Sequence, residues 1–502
     1  MSDGKATKGE INKMKMKKVS SIILTAAIIL TTACSENNTS SVNSQNSTVG
    51  NSSGGVTDNT TSSTVVENTP NKVDDTLPQC APANLPSSVY DARNVMKGKD
   101  GYYYTSMLIS GDKISNALHY YDLATGKSIP LCSKPQCIHD GNDFCAATGG
   151  FLYINGNGSA DVLYNGYIYR LGDTAEEVDK YDLALFKVDL QGNELSKVSD
   201  ILSVSLGDGV AEPAICSKVF HYGKMIIAAQ FYDNVIGWSN QFYIVDISTG
   251  EKKEINIPEH KKGTRVEYET GISLVCDDDW LYYTARYVAY KGQVHTETNM
   301  TYDRTVMYRY NLKTGETEEI SEMPDIYSSF TVNNNIIYYT VADRKDNTFS
   351  LYSLDTTTRK IITLADKIQQ NYVDGKYISH SNKVTVVTDR KYLYICTRGL
   401  TGYYRKDATN NEIQDDIDFY IYSLDGKELV HGLTGMEALL DMEKEWRYTF
   451  SAINGEIYFN YQDRAFDDSD SPEDTKSGMY TIKTEDLING KTNWTKLYKA
   501  IN

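Results

Sequence analysis

One short segment carries the densest metal-ligating chemistry of the chain: Cys132, Cys137, His139 and Cys145, in the order Cys-x4-Cys-x-His-x5-Cys. Three thiols and an imidazole can fill a tetrahedral Zn²⁺ shell. The spacing lacks the Cys-x2-Cys knuckle, however, and Cys80 lies upstream as a fourth cysteine. In an exported chain four cysteines also pair as two disulfides, and free thiols are the third state. All three states make this segment a structural clasp, by disulfide or metal, and none makes it catalytic. Cys276 and Cys396 sit in strand-like apolar stretches, where a buried, inert thiol is expected.

Other residues offer binding rather than bond-breaking. Tyr232 and Trp238 lie close together, as do Tyr287, Tyr290 and Tyr302, and then Tyr403 and Tyr404. Aromatic rings beside Asn and Asp can stack on sugar faces or anchor a peptide. His295 is the one histidine outside the clasp that merits a test. Asp467, Asp468, Asp470, Glu473 and Asp474 form an acidic run. It lacks the glycine and ligand spacing of a helix-loop-helix calcium loop, so a solvated loop is expected and a weak Ca²⁺ site is the alternative. The chain has no nucleophile elbow, His-Glu-x-x-His, phosphate-binding loop or dinucleotide fingerprint. No catalytic residue is assigned, and a binding role is favoured over an enzymatic one.

These residues are positioned by a repeat. Seven segments place a tight polar turn before an aromatic strand: Asp100-Gly101-Tyr102, Asn165-Gly166-Tyr167, Tyr222-Gly223-Lys224, Asp278-Asp279-Trp280, Asn334-Asn335-Ile336, Arg390-Lys391-Tyr392 and Asn454-Gly455-Glu456. Each is followed by a second strand, which ends on Asp or Asn in six copies, as in Tyr243-Ile244-Val245-Asp246 and Tyr352-Ser353-Leu354-Asp355, and on Lys483 in the seventh. Thr-Gly turns often come next, as at Thr249-Gly250. Asn-Gly, Asp-Gly and Thr-Gly between apolar runs are hairpin turns, because Asn and Gly tolerate positive φ. Each copy therefore reads as strand A, tight turn, strand B, longer loop, strand C, tight turn, strand D. Four antiparallel strands recurring at such a step form a propeller blade, whose faces are covered by neighbouring blades. The predicted fold is all-β, a seven-bladed β-propeller over residues 81–502. Its A–B and C–D turns share one end; the B–C and D–A connections share the other. The latter are expected to be long, at about 105–117, 132–160, 284–305, 397–418 and 460–478, and to carry function.

Residues 1–33 hold six Lys against two acids and an apolar run from Val19 to Ala33, too short to span a bilayer comfortably and read as a secretory signal. Leu30-Thr31-Thr32-Ala33-Cys34 resembles the lipobox of bacterial lipoproteins, which implies cleavage before Cys34 and a diacylglyceryl group on its sulfur. Residues 34–80 form a Ser/Thr/Asn-rich tether, with 21 such residues between 35 and 64. It has too little apolar surface to offset the entropy of ordering. The net charge of −17 argues against a nucleic-acid partner.

The paired Asp/Asn-Gly-x-Ile-Tyr and Leu-Tyr-x-x-Asp motifs resemble the propeller lipoproteins of Gram-positive gut anaerobes, some of them likened to the receptor-type YWTD propellers. The resemblance covers roughly 85–500 and implies fold rather than activity. The expectation is a monomer anchored to the bacterial cell membrane through Cys34, facing outside the cytoplasm. Its propeller binds or scaffolds a glycan, peptide or protein. The alternatives are a carbohydrate-active hydrolase or lyase and an envelope-assembly or sensing subunit. No cofactor is required beyond a structural Zn²⁺ or weak Ca²⁺.

Overall fold

The computed structural model describes residues 27–31 and 83–87, and most of 95–499 apart from connecting stretches such as 111–112, 149–160, 267–273, 291–299, 370–383, 405–418, 433–445 and 464–476. Seven antiparallel sheets follow one another along the chain. Blade one is Val95–Lys97, Gly101–Ser110, Lys113–Asp122 and Lys127–Pro130. Blade two is Val162–Tyr164, Tyr167–Asp173, Lys180–Asp189 and Leu195–Ser205. Blade three is Val210–His221, Lys224–Asp233, Gly237–Asp246 and Lys252–Ile255. In blade four, strand A is split into Thr264–Val266 and Leu274–Asp277, both paired with Trp280–Tyr290, and Met300–Asn311 and Thr317–Met323 complete the sheet. Blade five is Tyr327–Asn333, Ile336–Asp343, Thr348–Asp355 and Ile361–Gln369. Blade six is Thr385–Thr388, Tyr392–Cys396, Phe419–Ser423 and Glu428–His431. Blade seven is Trp446–Ile453, Glu456–Asp463, Ser477–Lys483 and Thr495–Lys499. The seven-bladed propeller and the order A–B–C–D are as the repeat predicts.

The core lies between blades. Met96, Tyr103, Leu118, Leu163, Ile168 and Val188 join blades one and two. Comparable clusters join two to three, three to four, four to five and five to six. One cluster spans three blades and places Ile457 and Phe459 of blade seven among Tyr394 and Ile421 of blade six and Tyr102 and Tyr104 of blade one. The ring therefore closes by packing alone: among the described residues, every strand of blades one and seven comes from its own end of the chain or, for Thr401–Tyr404, from the blade-six connection.

The repeat motifs now have a physical cause. Backbone φ is positive at Asn165 and Gly166, at Tyr222 and Gly223, and at Asn334 and Asn335, as two-residue hairpin turns require. The Asp or Asn that ends strand C caps the C–D turn. Asp122 Oδ1 accepts from the N–H groups of Ala124 and Thr125, Asp246 Oδ1 from Ser248 and Thr249, Asn311 Oδ1 from Lys313 and Thr314, and Asp355 Oδ1 from Thr357 and Thr358.

At the A–B end a chain of polar contacts runs from blade to blade. His221 Nε2 donates to Asp278 O at 2.5 Å, the Asn335 N–H to Asp277 Oδ2 at 3.0 Å, Asn333 Nδ2 to Arg390 O at 3.1 Å, and the Gly455 N–H to Asp389 Oδ2 at 3.0 Å. Blades three to seven are linked in sequence.

Three expected loops are corrected. Residues 105–117 mostly form strands: Gly101–Ser110 and Lys113–Asp122 pair in register from Gly101↔Asp122 to Ser110↔Lys113. Much of 284–305 likewise extends the B and C strands of blade four. Thr401–Tyr404 pairs with the innermost strand of blade seven, Thr401↔Thr449 to Tyr404↔Trp446. Polar residues such as Ser106, Ser115 and Asn116 read as loop, yet the cross-strand pairing of the hairpin carries them in register as strand. A separate antiparallel pair, Ala27–Thr31 with Ala83–Ser87, belongs to no blade and lies against innermost strands of blades three, six and seven. Residues 1–26 and 32–82, with Cys34 and the tether, lie outside the described residues.

Two stability outcomes follow. Phe459 is fully buried in the closing cluster whereas Ile361 is 50% exposed. Phe459→Ala is expected to cost about 3–5 kcal/mol and Ile361→Ala a few tenths, about the surface norm, read as shifts in the denaturant midpoint. Burial pulls His221 down to about 4, against the backbone hydrogen bond to Asp278 and aided by Arg390. An unfolded chain protonates this ring near 6.5. Its contribution is therefore full above pH 6.5 and is lost as pH falls toward 4, on the order of 3 kcal/mol. His221→Gln, which keeps an N–H donor but cannot be protonated, should flatten that part of a stability-against-pH curve.

Candidate functional site

The D–A connection after blade one leaves strand Lys127–Pro130 and passes close over blade two. Gly192, at φ +70°, sits in the C–D turn of blade two, where an added Cβ would come within 2.6 Å of the Leu131 carbonyl group. The Ser133 N–H donates to Gly192 O at 3.0 Å. From this anchored start, the segment brings Cys132, Cys137, His139 and Cys145 together, with their ligand atoms all within 4.8 Å of one another. His139 Nδ1 lies 3.3 Å from Cys145 Sγ. Tetrahedral Zn–S and Zn–N bonds of about 2.3 and 2.0 Å would separate donor atoms by about 3.5–3.8 Å, so the cluster is of metal-binding size. His139 reaches it with φ at +53°, a left-handed backbone that non-glycine residues adopt rarely.

Cys132, Cys137 and Cys145 are thiols, with no disulfide among them. Cys80, expected as their partner, lies outside the described residues. Cys145 is buried with Ala117 and Ala147, and Cys132 and Cys137 pack against them half-buried. Burial opposes ionisation of Cys145, but hydrogen bonds from the Thr148 hydroxyl, His139, the Thr148 backbone and Cys137 outweigh it and hold the thiol at about 6. Cys137 is pushed up to about 11 by burial and by the neighbouring Cys145 and Cys132, against the backbone N–H of His139. A divalent ion would favour the thiolate at all three positions.

Beside this cluster lies a group of charges that reading the motifs did not find. Asp161 and Arg170 are both 0% exposed, with Arg170 Nε 3.3 Å from Asp161 Oδ1. Thr105 Oγ1 donates to Asp161 Oδ2 at 2.6 Å, and Arg170 Nη1 to Ala147 O at 3.3 Å. The Leu118 N–H donates to the same carbonyl. Lys218, on the innermost strand of blade three, is 3% exposed and held down to about 7 by burial, with Asp161 opposing and Arg170 adding to the fall. The available signal was a cation inside an apolar strand, as in Tyr169-Arg170-Leu171 and Ser217-Lys218-Val219.

The nominated aromatics divide. Tyr287 is corrected: it is 1% exposed, donates its hydroxyl to Pro258 O at 2.7 Å, and shares a hydrogen bond with the Tyr308 hydroxyl at 3.0 Å. It packs the interface of blades three and four and presents no face to a ligand. Tyr232 and Trp238 stand directly opposite one another, one pair from the end of the B–C hairpin of blade three. Tyr290 pairs with Met300 and Tyr302 with Val288 near the end of the blade-four hairpin. Tyr403 and Tyr404 pair with Arg447 and Trp446 on the inner edge of blade seven. His295 and the acidic run 467–474 lie outside the described residues. Cys276 and Cys396 are buried on strands, as expected.

No family model and no curated protein matches the chain. Solved structures of similar shape include a prolyl endopeptidase, 11% identical over 81% of this chain and 50% of that one, with a TM-score of 0.46. Others are the β-propeller domain of the Trilobed protease from Pyrococcus furiosus (10% identity, 81% and 97% covered, TM-score 0.39) and a polysaccharide lyase of family PL25, an ulvan lyase (10% identity, 79% and 92% covered, TM-score 0.43). The chain spans about half the length of the prolyl endopeptidase. These are likenesses of shape and do not bear on what this chain acts on.

Tyr287→Phe should cost about 1–2 kcal/mol by removing the donor to Pro258 O, read by denaturation, and should leave ligand binding unchanged.

Proposed function

We propose that this chain is a membrane-tethered, extracytoplasmic binding or scaffolding propeller that presents its B–C end to a glycan, peptide or protein. The observation that supports this best is the uneven length of the strands. In blade three the B and C strands run ten residues each, while strand D covers only Phe242 to Val245. In blade one, strands A and D pair with Tyr102–Tyr104 and His119–Asp122, and the B and C strands continue as a hairpin to Ser110 and Lys113. Blade four extends likewise to Tyr290 and Met300. One end of the ring is thus set with long B–C hairpins, which extend beyond both strands A and D in blade one and beyond strand D alone in blades three and four, and Tyr232, Trp238, Tyr290 and Tyr302 occupy positions on the latter two. The opposite end consists mostly of tight turns, with the short helix Thr484–Ile488 in the C–D connection of blade seven. Ligands are held by rigidly mounted aromatic anchors more readily than by tight turns. Lipidation at Cys34, with Ala27–Thr31 removed along with the rest of residues 1–33, would set this body outside the membrane, and the 34–80 tether would give it reach.

The cofactor we assign is a structural Zn²⁺ at Cys132, Cys137, His139 and Cys145. All four ligands come from the protein, as in closed structural sites, and the thiolate-rich donor set suits Zn²⁺ better than Ca²⁺.

A glycan array and a surface pull-down with the full chain test the binding role. Trp238→Ala and Tyr290→Ala should each weaken capture by about tenfold or more, as expected for a truncated hot-spot residue, with an unchanged melting transition. Capture indifferent to both substitutions would remove this face from consideration. Release of new reducing ends or unsaturated sugars would replace binding by hydrolysis or elimination.

A further inference from the structure

A zinc ion held by three thiolates and a neutral imidazole carries a net charge of −1. In a buried setting such a charge is costly unless a positive group stands close. The inference drawn here rests on the zinc reading above and deepens it. Among the described residues, the Asp161 carboxylate faces the Arg170 guanidinium and the Lys218 amine, and the carboxylate and the guanidinium are wholly buried. Arg170 is also bound to the clasp itself, since its Nη1 donates to the carbonyl of Ala147, two residues beyond Cys145. The charge of Cys145 acts on the guanidinium as well, alongside that of Asp161. Arg170 belongs to strand B of blade two, whereas the Ala147 carbonyl is also hydrogen-bonded by Leu118 of blade one.

We propose that Arg170 is the counter-charge of an anionic Cys₃His zinc centre, with Lys218 and Asp161 completing a neutral buried set, so that loading the metal fastens blade one to blade two through the Ala147 carbonyl. Arg170 is a positioning residue and not a ligand. The proposal accounts for the hydrogen bond from Arg170 Nη1 to the Ala147 carbonyl of the clasp, which the salt bridge to Asp161 alone does not. Metal-centre partners of this kind are worth about 10- to 100-fold in affinity.

The test uses the purified full chain, zinc content by mass spectrometry, and zinc affinity by competition with a chromophoric chelator. The wild type should bind one Zn²⁺ per chain, and Cys137→Ser should lose it. Absence of zinc binding in the wild type would overturn the zinc reading itself. If zinc binds, Arg170→Gln should weaken it by about 10- to 100-fold, and Arg170→Lys, which keeps the charge, should recover part of the loss. Cys132→His gives a Cys₂His₂ centre of zero charge, and in that background Arg170→Gln should cost several-fold less than in the wild type. Equal losses in both backgrounds, or none in either, would overturn the counter-charge role while leaving the zinc site standing. Should Arg170→Gln fail to fold, the paired change Arg170→Met with Asp161→Asn removes both buried charges of the ion pair, and Lys218→Met removes the second cation. Unchanged zinc affinity in both of these would overturn the proposal equally.

Discussion

A four-stranded blade has two faces rich in Tyr, Ile, Leu and Val and cannot hide either of them by itself. The whole molecule depends on the contact of each sheet with the next. Residues alternate along a strand, so Phe220 faces the cluster shared with blade two while its neighbour Val219 faces the one shared with blade four. A strand between two such clusters buries apolar residues on both sides, so each sheet depends on its neighbours for cover. The excess of Tyr over Phe, 39 to 12, fits this geometry. A tyrosine fills an interface with its ring and carries its hydroxyl to a polar partner near the edge, as Tyr394 does at Asp389 and Thr484.

The ends of the blades do different work. At the A–B end, His221, Asp277, Asn333 and Asp389 bind the turn of the following blade, which fixes the angle between neighbours. Apolar packing tolerates sliding, and directional hydrogen bonds do not. At the other end the connections differ from blade to blade, so this end can acquire hairpin arms, an added strand or a metal-sized cluster without disturbing the ring.

Much of the fold was legible because its cause is local. Asn165-Gly166 and Asn334-Asn335 announce their turns through backbone conformation, and Asp246 or Asp355 announces the next turn through its capping oxygen. The Cys₃His segment was legible as a set of ligands, but its geometry was not: spacing alone does not say that the three thiols and the imidazole converge to within 4.8 Å of one another. Tyr287 was misjudged because an exposed and a buried tyrosine look alike in sequence, and what decides is the distant carbonyl of Pro258. The strand at Thr401–Tyr404 was missed for the same reason, since its partner lies in another blade. The meeting of Arg170 with Asp161 and Ala147 is likewise a non-local fact, signalled only by a charged residue in an apolar run.

Among the described residues, the ring is closed by side chains, with no strand passed between its first and last sheets. Blades one to five are thus self-contained cassettes of consecutive sequence, whereas blade six lends Thr401–Tyr404 to the sheet of blade seven. Such a layout can lengthen or shorten by whole units through duplication or loss of one stretch of coding sequence among the first five, and it can be cut and rejoined at one of their seams with the hydrogen-bonded ladders intact. What it gives up is a covalently continuous fastening where the ends meet, so the last seam relies on Tyr102, Tyr104, Ile457 and Phe459 for its grip. The architecture exchanges a locked circumference for an adjustable number of units.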